Sequence, residues 1–431
     1  MRPLSLAAAA AGASVDGCDR FGLGEPDEAL DRAHVHVAEG HDVAHVDGRR
    51  LVATTTARPD EPEIERARAR GALHHRSDLL AVFLARGPSV AVTGSHGKGT
   101  VAALAGTALD ALGADPRLIL GLHVPALGGP FRPGAGPTVA EVDDADGSVG
   151  RVGATVSVVT NSWADHPAFG RTRAEVATDV ARHVSRVPGT GRVVIGRGRN
   201  LSPIAAAAGA PVWRLGRDFD VETIGVTATG RRVLLHDVDG GTVEASLRLH
   251  GGAIADNAAL AFAALRALGI GAEPAADALG ALTGLTRRTE LVAEVDGVRI
   301  FDDIGKHPAA VAATLDAVRD LNPRRVHVVY EPIVHDEVLR WGSQWSTVLG
   351  AADSVVILPI DDRPVLPVTR RARADWPRRV GLEADLAADR AEAVQLLADR
   401  CSPGDVVVVL GALEDLDEVP LDLAALLERG R

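Results

Sequence analysis

Short apolar runs rich in β-branched residues alternate along this chain with longer Ala- and Leu-rich segments whose apolar positions recur at helical spacing. That alternation predicts α/β layers built on parallel strands. Strands are expected at 88–93, 154–160, 191–196, 324–330, 353–358 and 405–410. The last three are nearly continuous apolar runs, as in strands covered on both faces, and they define a C-terminal Rossmann-like unit. Between 215 and 250, the stretches from Thr227 to Leu235 and from Gly240 to Leu249 alternate apolar and polar residues around Gly-rich turns, which predicts a small antiparallel section. After the strand at 88–93, Gly94 to Gly99 reads as a loop and Thr100 to Leu112 as a helix with one apolar face. Domain boundaries are expected near residues 87 and 285.

A length of 431 residues allows about three domains of ordinary size. Hydrophobic residues at 46% with 24% charged fit a soluble globular protein. The net charge of −12, with no basic block carrying interleaved aromatics, argues against nucleic acid as a partner and leaves small molecules. No run of 18 apolar residues exists, so no membrane span is expected. The Ala7 to Ala11 run behind a single Arg is too weakly apolar for an export signal. Cys18 and Cys401 support neither a disulfide framework nor a zinc knuckle, and a reducing cytoplasm fits them.

Composition sharpens the picture at one point. The chain holds only two lysines, Lys98 and Lys306, among 46 basic side chains. Where arginine has replaced lysine almost everywhere, a retained lysine marks a place that needs a compact point charge on a thin stem. Lys98 lies in Gly94-Ser95-His96-Gly97-Lys98-Gly99-Thr100, between the strand and the helix. There backbone N–H groups and the helix dipole favour an anion, Lys98 can neutralise β/γ phosphates, and Thr100 can offer a hydroxyl to Mg²⁺. The spacing is shorter than a Walker A loop, which wants Gly where Val92 stands.

Gly-x-x-Gly-Lys after Val-Ala-Val-Thr resembles the ATP loop of the Mur ligase family, most closely its alanine-adding branch; the Gly99-Thr100 ending is similar to the related folylpolyglutamate synthases. The resemblance runs from Gly40-His-Asp to Gly411-Ala. It implies an α/β fold of three-domain Mur ligase architecture. Residues 1–87 would form a truncated Rossmann-like substrate domain, 88–285 a central P-loop ATPase domain, and 286–431 a Rossmann-like domain for the amine substrate. It also implies ATP and Mg²⁺ as cofactors, small-molecule carboxylate and amino acid or amine substrates, and a monomer or homodimer.

Site residues follow from the same resemblance. In Val139 to Ser148, similar to Glu-Ala-Asp-Glu-Ser-Asp-Gly-Ser, Glu141 would bind the metal; oxygen ligands suit Mg²⁺. Thr160-Asn161 through Asp165-His166 resembles Thr-Asn-x-x-x-Asp-His, in which His166 would help hold a second Mg²⁺. Asn257 matches the second Asn of the base-binding motif, whose His and first Asn are replaced by Ala253 and Ile254. Arg288, in a segment resembling Arg-Arg-Phe-Glu, would reach the γ-phosphate. Phe301 to Pro308 resembles Asp-Asp-Tyr-x-His-His-Pro, which assigns Asp303 to the ribose or phosphates and puts Lys306 where the family has His. Domain closure would bring Arg288 and Lys306 onto phosphates held by Lys98, with charge neutralisation supplying much of the rate.

The departures fall on the substrate side. The chain begins at the Ala7 helix, before which the family has a strand and Gly-rich turn for the UDP pyrophosphate; a misplaced start codon or loss of the UDP site would account for this. After Tyr330-Glu331-Pro332 the family carries arginine, whereas this chain reads Ile333-Val-His335-Asp336-Glu337-Val-Leu-Arg340. Acidic residues there would repel a carboxylate, which predicts an amine substrate other than simple alanine, or one held by Arg340 instead; loss of the UDP turn with the ATP apparatus kept points to a different acceptor, in specialised metabolism. Trp163 stands where an acidic residue is common. The alternatives are a genuine alanine ligase of peptidoglycan synthesis and a catalytically silent nucleotide-binding scaffold. His34, His36, His41 and His45 suggest a metal cluster, but resemble the family's Val-His-x-Gly-His-Asp linker.

Overall fold

A computed structural model describes residues 1–20, 22–23, 27–54, 61–162, 171–332, 338, 341–360, 376–411 and 414–429. The strands run in chain order as β1 (Asp16–Asp19), β2 (His36–Glu39), β3 (Val52–Thr54), β4 (Leu73–His75), β5 (Ser89–Thr93), β6 (Arg117–Val124), β7 (Gly129–Arg132), β8 (Thr138–Glu141), β9 (Val156–Val159), β10 (Arg192–Ile195) and β11 (Val212–Arg214). They continue as β12 (Asp220–Thr227), β13 (Gly230–His236), β14 (Thr242–Leu247), β15 (Glu290–Val295), β16 (Val298–Asp303), β17 (Val326–Tyr330), β18 (Ser354–Ile357), β19 (Asp385–Leu386) and β20 (Val406–Leu410). Each of the six strands expected from the apolar runs is present. The 215–250 section is the three-stranded sheet β12-β13-β14.

The chain divides into two compact units. The first holds the seven-stranded sheet β11-β10-β9-β5-β8-β6-β7, parallel except for the β6/β7 pair, and two small parallel pairs, β1/β2 and β3/β4. β5 lies at the centre and all five of its residues are buried, because helices cover both faces of the sheet. The Ala-rich start forms the helix Arg2–Ala10, with Leu4, Leu6 and Ala7 buried; Leu4 and Ala7 pack into the core formed by β5, β8, β9 and β10.

The second unit holds the six-stranded sheet β15-β16-β20-β17-β18-β19, parallel except for the β15/β16 hairpin. β17 and β20 are buried along their whole length, which is why they read as uninterrupted apolar runs. Two apolar cores form on the sheet's opposite faces, one around Trp345 and Tyr330, the other around Leu397 and Leu423. Among the described residues no helix is long and apolar enough to cross a membrane.

Candidate phosphate and metal site

The first unit gathers its candidate residues at the C-terminal ends of β5, β8 and β9, where open α/β sheets place ligands. The sheet register does this: Val92 pairs with Glu141 and Thr93 with Val159, so Gly94 to Gly97, the acidic segment and Thr160-Asn161 leave one edge together. The helix Lys98–Ala111 starts two residues earlier than the sequence pattern predicts, because Gly97 adopts φ 77° and caps it. Its 14 residues end in a positive dipole pole directed at the loop.

Three glycines lie in close contact with their surroundings. A Cβ on Gly94, which has φ 128°, would collide with Thr160 Oγ1 and stand 2.7 Å from the Asn161 carbonyl oxygen. One on Gly97 would stand 2.6 Å from Asn257 Oδ1, which places Asn257 against the loop. One on Gly99 would collide with Leu122 and stand 3.1 Å from Glu141 Oε2. A side chain at position 99 would have to displace the Leu122 side chain, and the half-buried Thr100 carries the hydroxyl of the helix's first turn.

The loop is held from below. Asn161 Oδ1 accepts the His96 N–H at 3.0 Å while its amide donates to the His96 carbonyl at 2.9 Å, and Thr160 Oγ1 donates to the same carbonyl at 2.7 Å. Ser95 Oγ donates to Asp144 Oδ2 at 3.0 Å, and Lys98 Nζ lies 3.9 Å from Asp144 Oδ1. Asp144 is 2% exposed, and burial raises its pKa against the pull of Lys98. Glu141 Oε2 accepts the Gly121 N–H at 2.9 Å. Beside it, Arg76 pairs with Asp143 at 3.0 Å and Asp146 at 2.7 Å, which partly balances the acidic turn.

The structure thus brings together Gly94, Ser95, His96, Gly97, Lys98, Gly99, Thr100, Glu141 and Asn257. His166, with Trp163 and Asp165, lies outside the described residues, as do Ile333 to Glu337 and Arg340. Asp144, Thr160 and Asn161 are contributors that the motif reading quoted without assigning a role. The residues fit a magnesium-bound phosphate chain: a loop whose glycines leave no space for side chains, one lysine, one helix N-terminus and a carboxylate at the helix start.

In the second unit Arg288 stands between two residues in the left-handed region, Arg287 at φ 53° and Thr289 at φ 48°. Neither is glycine, so the backbone is strained there and must be held in place. Asp303 Oδ2 accepts Thr289 N–H at 2.7 Å and its hydroxyl at 3.2 Å, and Oδ1 accepts Gly305 N–H at 2.7 Å. The Arg287 guanidinium donates to Asp302 Oδ2 and to the Gly411 carbonyl, both at 2.8 Å. Burial pushes Asp302 up to about 6 against the Arg287 charge, and raises Asp303 against the Arg288 charge. Arg288 and Asp303 therefore share one braced loop cluster, with Lys306 following Gly305 in the chain, and Asp303, 4% exposed, ties the segments together. At the end of β17 the buried Glu331 accepts from Arg390 at 3.2 Å.

The chain matches the Mur ligase family catalytic domain over residues 1–87, the Mur ligase middle domain over 92–265 and the Mur ligase glutamate ligase domain over 287–413. A UDP-N-acetylmuramate–L-alanine ligase of Renibacterium salmoninarum is 33% identical over 393 residues, which cover 88% of this chain and 83% of that one. Its counterpart in Kineococcus radiotolerans is 33% identical, with coverage of 97% and 92%. Among solved structures, a UDP-N-acetylmuramate-alanine ligase of Thermotoga maritima gives a TM-score of 0.81 at 20% identity, covering 100% of this chain and 97% of that one. Folylpolyglutamate synthase of Mycobacterium tuberculosis gives 0.61 at 20% identity, covering 82% and 93%. These structural likenesses carry the three-domain α/β architecture. The sequence relatives go further, and with them the chain belongs to the Mur ligase family of ATP-dependent, amide-bond-forming ligases.

Proposed function

We propose that this protein joins a carboxylate to an amine through an acyl phosphate, consuming ATP with Mg²⁺. The observation that carries the reading is the loop from Gly94 to Thr100, with Lys98 beside Asp144 and with Glu141 against the start of the helix. Lys98 and the loop amides would hold the β/γ phosphates, and Thr100 and Glu141 would hold Mg²⁺, which supplies charge neutralisation on the transferring phosphoryl group. His166 is proposed for a second Mg²⁺ and Asn257 for the base. Arg288, Asp303 and Lys306 are proposed as the nucleotide-directed residues of the second unit, Asp303 toward the ribose or phosphates, and its bonds to Thr289 and Gly305 support a bracing role as well. Three domains, 1–87, 88–285 and 286–431, would divide these tasks.

For the amine we propose a substrate other than plain alanine. Glu331 supports this, because a buried carboxylate at the end of β17 disfavours a second carboxylate unless Arg390 neutralises both. A second reading, UDP-N-acetylmuramate with L-alanine, is favoured by the names of the relatives at 30–33% identity. Phosphate release from MgATP, with that pair beside a panel of free acids and amino acids and with products read by mass, separates the two. A Lys98→Ala variant that kept full turnover would sink the mechanism for any pair.

A further inference from the structure

Far from the phosphate loop in sequence, three unlike donors converge in the first unit. Cys18 lies on β1, His41 follows β2, and Glu63 is in the first turn of the helix Pro62–Ala69. Cys18 Sγ is 3.4 Å from His41 Nδ1 and 3.5 Å from Glu63 Oε2, and His41 Nδ1 is 2.9 Å from the same oxygen. Bond lengths of about 2.3 Å to sulfur and about 2.0–2.2 Å to nitrogen or oxygen make the edges of a tetrahedral zinc site about 3.3–3.6 Å. Two of the three edges already have that length, and the third needs to open by a few tenths of an ångström.

The rest of the cluster is arranged as support for such a site. Glu63 Oε1 accepts the Asp42 N–H at 2.9 Å and lies 2.9 Å from His45 Nδ1 and 3.4 Å from Cys18 Sγ, so that oxygen is anchored while Oε2 faces His41 as well as Cys18. That division of a carboxylate between ligand and outer contacts is how metal sites orient their donors. Glu63 is 5% exposed, whereas the His41 side chain is 30% exposed, which leaves an approach for an ion. Glu63, Asp19 and Asp16 set negative charge around Cys18. A cation relieves that field.

We propose that Cys18, His41 and Glu63 bind a divalent transition-metal ion of the zinc class, with His45 as an outer positioning residue and a fourth position left to water or an added ligand. Thiolate, imidazole and carboxylate together select zinc over the oxygen-seeking Mg²⁺ of the phosphate site. A thiolate and a carboxylate neutralise the 2+ charge. On binding, the Cys18 S–H bond breaks, the metal–sulfur bond forms, and the proton leaves to solvent.

The test uses the full chain, stripped with chelator and dialysed against Zn²⁺ without nucleotide, with bound metal quantified. One equivalent is expected, and Cys18→Ser and His41→Ala should each weaken binding on the order of 100-fold or more, with His45→Ala weaker by about tenfold. Co²⁺ in the unmutated chain should give a thiolate charge-transfer band that is absent in Cys18→Ser, a readout that does not depend on variant stability. The proposal is overturned by a stripped chain that takes up no Zn²⁺, by Cys18→Ser binding as tightly as the parent, or by a Co²⁺ adduct without the thiolate band.

Discussion

His183 sits behind the strand that supports the phosphate loop, and it makes the first unit acid-sensitive. It is wholly buried in the helix Arg173–Ser185, with Nε2 2.7 Å from Ser157 Oγ on β9 and Nδ1 2.9 Å from the Val152 carbonyl. The carbonyl fixes the proton on Nδ1, and the serine hydroxyl donates to Nε2. Burial holds the imidazole down from 6.5 to about 4. Between those values the unfolded chain carries a proton that the folded one does not, so stability is full above about 6.5 and is lost as pH falls toward 4. At about 1.4 kcal/mol per pH unit the loss reaches about 3 kcal/mol, with roughly 2 kcal/mol of it between pH 7 and pH 5. Urea unfolding of the parent and of His183→Gln at both pH values measures this. The buried carboxylates Asp144, Asp302 and Asp303, all raised, work in the opposite direction, so the difference between the two proteins is the relevant quantity. The variant should lose about 2 kcal/mol less than the parent on acidification. Equal losses in the two proteins would refute the reasoning.

Gly99→Ala places a methyl group against Leu122 and Glu141 Oε2, which should cost about 1–3 kcal/mol of overpacking and raise the Mg²⁺ concentration needed for half-maximal turnover. A metal titration that gives an unchanged midpoint would remove Glu141 from the metal site. Lys98→Arg keeps the charge but replaces a thin ammonium with a planar fork, and turnover should fall at least about 100-fold, close to the loss in Lys98→Ala. Activity within about threefold of the parent would mean that only charge matters at this position.

The layers were legible in the sequence because the sheets are covered on both faces. Val406 to Leu410 and Val326 to Tyr330 read as strands since no residue in them meets water. The loop was legible because its glycines are spaced by the turn they must make, and Lys98 stood out because so few lysines remain. Long-range pairing was not legible. Ser95 meets Asp144 across 49 positions and His96 meets Asn161 across 65, and both contacts depend on the register of β5 between β8 and β9. Cys18 and Glu63 carry no spacing signal at all, since strand, loop and helix must fold before their donors meet. The histidines at 41 and 45 were visible as a cluster, but the carboxylate that joins them was not.

Asp144 would poise Lys98 for the nucleotide role proposed for it. Its carboxylate is buried and raised by that burial, so the charged form depends on the cation nearby. The Lys98 ammonium lies 3.9 Å away, beyond hydrogen-bond distance, and its side chain is 16% exposed. The pair is thus oriented by charge, with no directional bond, and reorienting the ammonium toward a phosphate oxygen would break no short contact to a described residue. Ser95 takes the other carboxylate oxygen at 3.0 Å and keeps Asp144 in place while the lysine turns. Asp144 and the loop that Thr160 and Asn161 hold are thus set before a ligand arrives, and only the lysine would turn, the partial preorganisation that electrostatic catalysis of phosphoryl transfer by the proposed site would use.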